Sequence, residues 1–128
     1  MKIREFQSIT DIENKNTIAI DFDGVIHKNS KGFHDGTIYD EPVVGVKKGL
    51  KQLSKMYKLV IYSCKANPNR PLVNKETGTE LIWRWLHKWN LDRYITDVTY
   101  TKPNAKYYID DKAIKFINWN KTTQEIVC

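Results

Sequence analysis

The sequence predicts an α/β fold: a mainly parallel central sheet with helices on both faces. Three observations carry that expectation. Short apolar runs rich in β-branched residues, TIAIDF at 17–22 and KLVIYS at 58–63, have the length and composition of buried strands. Between the strand candidates lie stretches whose apolar residues recur at helical spacing, the alternation that places crossover helices on a parallel sheet. Several of the strand candidates also stop abruptly on polar side chains.

Residues 17–22 form the first strand. Turn signals at Lys31-Gly32 and Asp35-Gly36 then make 25–41 an extended loop or flap hairpin. Pro42 opens a helix running to about Met56, with Val46, Leu50 and Leu53 on one face and Lys47, Lys51 and Lys55, beside Lys48, on the other. Residues 58–63 are the second strand, and Pro68, Pro71 and the neighbouring asparagines make 64–75 a loop at its exit. Leu81, Ile82, Trp85, Leu86 and Trp89 predict an amphipathic helix over roughly 76–90. Residues 97–100 and 106–109 read as strands, Ala113, Ile114 and Ile117 as a short helix, and 125–128 as an edge strand.

A chain of 128 residues suits one domain, and 41% hydrophobic with 28% charged residues is the composition of a soluble globular protein. No run approaches the ~18 apolar residues of a membrane span. The opening MKIREFQSITD has no apolar core of a secretory signal, so a soluble, cytoplasmic protein is expected. Cys64 and Cys128 fit neither a disulfide framework nor a zinc pattern and read as reduced thiols. The net charge of +6 favours anionic partners: phosphate esters, nucleic acid or acidic surfaces. The lysine stripe at 47, 51 and 55 reads as a solvated helix face.

Parallel sheets bind ligands at the carboxyl ends of their strands. Three strands here end in Asp21 to Asp23, in Ser63, and in Asp110-Asp111, so those residues are expected to converge. Two unit charges ~4 Å apart repel by about 1 kcal/mol in water and about 4 at an effective dielectric of 20. Four carboxylates therefore call for a cation, all-oxygen ligands select a hard one, and Mg²⁺ in particular shares its shell with a substrate phosphate. Lys102 adds a positive charge if the TKP segment reaches the same edge. Of two neighbouring carboxylates, one can attack phosphorus while the other, its pKa raised by nearby negative charge, protonates the leaving oxygen. Ser63 can hydrogen-bond a phosphoryl oxygen.

DFDGV at 21–25, Ser63, Lys102 and IDD at 109–111, in that order, resemble the four motifs of the haloacid dehalogenase-like (HAD) phosphohydrolase superfamily over about residues 17–117. The run LVNKETGTELIWRWLHKWNL followed by TKPNAKYYIDDKAI is similar to small phosphatases of capsule or polysaccharide biosynthesis and of phages. The resemblance implies a Rossmann-like three-layer sandwich and a Mg²⁺-dependent phosphatase. Asp21 would be the nucleophile that forms an aspartyl-phosphate, and Asp23 the acid and then base, with its main-chain carbonyl on Mg²⁺. Ser63 and Lys102 would hold phosphoryl oxygens, and Lys102 would also position Asp21. Asp110 would bind Mg²⁺ directly, Asp111 directly or through water.

Two departures from that pattern stand out. Val25 replaces the usual threonine, and only seven residues separate Lys102 from Asp110, too few for a helix. No cap domain has room, which leaves an open site. A lid made from 25–41 and 64–75 could cover it, with Gly24, Cys64, Lys65 and Arg70 as candidate substrate contacts, although a solvated loop charge is the simpler reading of Lys65 and Arg70. The expected partner is a phosphorylated substrate: a sugar phosphate, a nucleotide or a nucleic-acid end. The rival class is a catalytically silent phosphate- or nucleic-acid-binding protein, for which Asp23 would have no purpose.

Overall fold

The computed structural model describes residues 16–127, so the opening segment and Cys128 lie outside it. Four strands form an all-parallel sheet of order β3-β2-β1-β4: β1 (Thr17–Asp21), β2 (Lys58–Tyr62), β3 (Asp97–Thr99) and β4 (Tyr107–Ile109). The helices are α1 (Val46–Ser54), α2 (Gly78–Lys88) and α3 (Trp119–Val127). No helix among the described residues is long and apolar enough to cross a membrane.

Alternation within the strands decides which side chains meet the helices. Ile18 and Ile20 of β1, Leu59 and Ile61 of β2 and Val98 of β3 share one face, and they form a single buried cluster with Leu50 of α1 and Ile82, Trp85 and Leu86 of α2. Both helices pack there because β1, β2 and β3 advance in one direction and right-handed crossovers then fall on one side. The step from β3 to β4 runs back past β2 and β1. Three strand spacings are about 14 Å, and seven extended residues reach at most about 25 Å, so 100–106 can cross without a helix. Thr101, Pro103 and Asn104 of this strap share a cleft with Thr17, Val60, Asp97 and Thr99 on the opposite face. Tyr108 fastens it: its hydroxyl donates to the Pro103 carbonyl (2.7 Å) and accepts from the Ala105 N–H (3.1 Å).

Several local expectations are corrected. The helix does not open at Pro42, because the Val43 N–H is spent on the Ile26 carbonyl (2.9 Å) and Gly45 sits at φ 88°, so α1 begins only at Val46. Residues 25–41 take the loop form of the expected loop or hairpin, closed at its base by one antiparallel bridge, His27 to Pro42, and by the Lys28 N–H on the Glu41 carbonyl (2.9 Å). Side chains tie the rest of the loop, Ser30 to Asp40 and the Tyr39 hydroxyl to Lys31 and Gly32, and the Trp85 indole donates to the Asp40 carbonyl (2.9 Å). At the C-terminal end the 113–117 helix does not form, and of the strand expected over 125–128 the described residues 125–127 are helical, Cys128 lying outside the described residues. The Asn118 side chain accepts from the Lys121 N–H (2.9 Å), which starts a helix at Trp119 and makes 125–127 its last turn. The helix expected over 76–90 is α2, capped by a reciprocal Thr77–Glu80 box. The lysine stripe of α1 is exposed, as a solvated face requires.

Candidate active site at the carboxyl edge of the sheet

Parallel strands bring Asp21, Ser63 and Asp110 out on the same edge, and the side chains there sort into two groups. Asp21, Asp110 and Asp111 form the first: each offers a carboxylate oxygen within 4.8 Å of the others. Gly24, at φ 86°, is held against this group. A Cβ there would collide with the Asp111 carboxylate, so only glycine lets the turn after β1 and the end of β4 approach so closely. Tyr62 donates its hydroxyl to Asp110 Oδ2 (3.1 Å), and the Lys112 N–H reaches Asp110 Oδ1 (2.8 Å).

Burial raises the pKa of Asp21 to about 6; the Phe22 N–H opposes the rise, and the charges of Asp110, Asp111 and Asp23 add to it. Asp110 sits below its usual range, chiefly through the Lys112 N–H, with Tyr62 and the charge of Lys102 contributing.

Asp23 belongs to the second group, in the turn that follows Phe22, whose ring is fully buried against Trp85 (T-shaped, 5.2 Å). Both its oxygens are engaged, Oδ1 by His27 Nδ1 (2.8 Å) and Oδ2 by Lys65 Nζ (2.5 Å). His27 is buried, and its Nε2 accepts the Asp40 N–H (3.1 Å). That contact assigns the ring proton to Nδ1, which donates to Asp23. Burial alone would raise the pKa of Asp23, yet the hydrogen bonds from His27 and Lys65 outweigh it and hold the carboxyl below its ordinary value. The expectation of a raised Asp23 is thus corrected. It is Asp21 that lies among like charges, whereas Asp23 has a cation and a donor.

Two lysines depart from their expected places. Lys65 is not a solvated loop charge, since its side chain is 11% exposed and paired with Asp23. Lys102 rests on the ring of Tyr108, Nζ 4.4 Å from its centroid, and its charge is felt at Asp110; among the described residues it has no ion pair with Asp21. Ser63 is buried, and its hydroxyl oxygen accepts the Lys65 N–H (3.2 Å), capping the 3-10 turn Cys64–Ala66 that carries Lys65 to the site. Cys64 is exposed at the start of that turn. Arg70 lies farther out, its guanidinium 5.9 Å from the Phe33 ring centroid.

No family model, curated protein or solved structure matches the chain. The site is therefore read from its own geometry, which also contains two residues that sequence reasoning missed. His27 follows Asp23 by four positions, a spacing that could have hinted at the pair. Tyr62 stands opposite Asp21 in the sheet register, a neighbour visible only once β1 and β2 are aligned.

Proposed function

We propose that the chain is a capless, HAD-like phosphatase that hydrolyses a phosphomonoester with Mg²⁺ through an aspartyl-phosphate on Asp21. The observation that carries this reading is the separation of two adjacent carboxylates into opposite surroundings: Asp21 in an acidic cluster with its pKa near 6, and Asp23 in a cationic, hydrogen-bonded pocket. Such sorting is how a site divides nucleophile from acid and base.

The three-carboxylate cluster fits Mg²⁺, because its donors are all oxygen and its half-open position leaves room for water and a phosphate. Asp21, Asp110 and Asp111 would hold the ion, which supplies positive charge to offset that on the phosphoryl oxygens. Tyr62 orients Asp110 from behind. Asp21 Oδ attacks phosphorus as the bond to the leaving oxygen breaks, and the Asp23 carboxyl gives that oxygen its proton. Asp23 then takes a proton from the water that attacks the aspartyl-phosphate, releasing inorganic phosphate and restoring Asp21.

In the resting site Asp23 is ionised and bound to Lys65. An arriving phosphate dianion competes for that ammonium, and losing the cation while gaining a negative neighbour drives Asp23 toward its protonated form. Ser63 and Lys102 stand at the same edge to hold phosphoryl oxygens.

Phosphate release from a panel of sugar phosphates, nucleotides and phosphorylated oligonucleotides, with Mg²⁺ and with chelator, tests the reading; no release from any member refutes it. Lys65→Met is expected to lower kcat/KM by roughly tenfold or more, the scale of one charge-assisted hydrogen bond. It should also shift the acid-dependent limb of the pH profile upward, because Asp23 loses the cation that depresses it. An unmoved limb would remove Lys65 from this role.

Proton and metal compete for Asp21, so metal binding is expected to weaken as pH falls through about 6. With Mg²⁺ at about ten times its Kd at pH 8, stabilisation is about 1.4 kcal/mol, a rise of about 5 °C in Tm. At pH 5 the same concentration is expected to give roughly 0.4 kcal/mol, because about nine-tenths of Asp21 is then protonated. Thermal melts at the two pH values, with and without Mg²⁺, measure the difference; equal shifts would mean that Asp21 is not a ligand.

A further inference from the structure

Beside the carboxylates, the 28–41 loop and the 65–81 segment enclose a cavity of about 250 Å³. Its walls include Phe33, Asp35, Arg70, Leu72 and Leu81, and Lys65 lies between it and the site, with Nζ on Asp23 and its stem against the cavity. A group seated there would hang from the oxygen that Asp23 protonates, one lysine's length away. The two loops close around one end, where a Cβ on Gly36 would come 2.9 Å from Val73 Cγ2. The volume lies just under the ~300–1,000 Å³ of drug-sized pockets and so suits a single ring system.

The lining narrows the chemistry of that ring. Phe33 is 70% exposed and Leu72 60%, large apolar side chains that the fold itself leaves open. Arg70 lies over the Phe33 ring, its guanidinium carbon 5.9 Å from the centroid, a cation–π contact that sets a planar cation beside an open aromatic face. A sugar would bring several hydroxyls that want partners. Among the charged side chains of the lining, Lys65 is paired with Asp23 and Asp35 accepts from the backbone and hydroxyl of Thr37 through Oδ1, which leaves the other Asp35 oxygen and the Arg70 donors. A flat ring with polar atoms only at its edge matches the open Phe33 face and the few uncommitted charged partners.

We infer that the cavity seats a nucleobase against Phe33 and Arg70 and that the phosphomonoester is a nucleoside monophosphate, an inference that rests on the phosphatase reading above. The test compares kcat/KM for nucleoside monophosphates, glucose 6-phosphate and glycerol phosphate, using the full chain with Mg²⁺. Nucleotides should be preferred, and Phe33→Ala should cut the nucleotide-to-glycerol-phosphate ratio about tenfold, the scale of one lost base stack. Arg70→Gln should reduce the ratio in the same direction. A preference for the sugar phosphate, or a ratio that neither variant moves, overturns the inference. Equilibrium dialysis of a nucleoside monophosphate against wild type and Phe33→Ala separates this failure from failure of the chemistry. If nothing is hydrolysed, a tenfold weaker binding to the variant still supports the base site, and equal or absent binding sinks it.

Discussion

Asp21→Asn is expected to stop phosphate release, with turnover falling roughly 10⁴-fold or more, since the amide cannot form the aspartyl-phosphate and no other carboxylate stands in its place. The same substitution is expected to stabilise the metal-free chain at pH 8. Asp21 has a pKa raised above the unfolded value by burial and by Asp110, Asp111 and Asp23, so the folded state holds a proton that the unfolded state has given up between about pH 4 and 6. Its stabilising contribution is full below the unfolded pKa and disappears as pH rises through the folded one. Asparagine keeps the shape without that charge. After allowance for solvent screening, the variant should therefore be more stable by on the order of 1–2 kcal/mol at pH 8 and by nothing near pH 4. Activity surviving in a folded Asn variant ends the nucleophile assignment, and chemical denaturation at the two pH values checks the electrostatics.

Gly78→Ala is expected to be the most damaging small change in the fold. Gly78 opens α2, and a Cβ there would land on the Lys65 carbonyl, backbone that cannot swing aside as a side chain can. Relief requires the Cys64–Ala66 turn and the helix start to separate, at a cost of about 3 kcal/mol and ~10 °C in Tm. Because the turn carries Lys65, activity should fall further than the stability loss alone explains. Gly49→Ala is the internal control, lying within α1 with open space where its Cβ would go. It should stabilise by about 0.5–1 kcal/mol. A Gly78→Ala melt matching wild type would mean that the turn does not lie against the helix.

The strands and the acidic edge were legible in the sequence because each rests on local pattern: β-branched runs of strand length, and polar residues where they stop. The helix expected over 76–90 was legible for the same reason, its apolar stripe coinciding with the Thr77–Glu80 cap. What escaped notice depends on partners far along the chain. Val43 is spent on Ile26, which delays α1. Lys65 is drawn in by Asp23, 42 residues earlier, and Lys102 goes to Tyr108. Neither lysine differs from a surface lysine in its own neighbourhood. His27 is a related case: a buried imidazole with an acceptor and a donor on opposite sides is recognisable only once the 28–41 loop has folded back to bring the Asp40 N–H to it.

The two halves of the acidic cluster are held with very different firmness. Asp21 grows from β1, whose residues Thr17 to Ile20 are all buried between neighbours, whereas Asp110 and Asp111 follow β4, an edge strand with three exposed residues paired to β1 alone. Pairing on one side only makes β4 easier to open than the central strands, so such excursions cost less than global unfolding. Each one dismantles the ligand set while Asp21, Asp23 and His27 stay where they are. A cation bridging Asp21 to Asp110 and Asp111 would then serve as the clasp between a permanent half of the molecule and a detachable one, so that loading the metal and finishing the sheet become a single equilibrium.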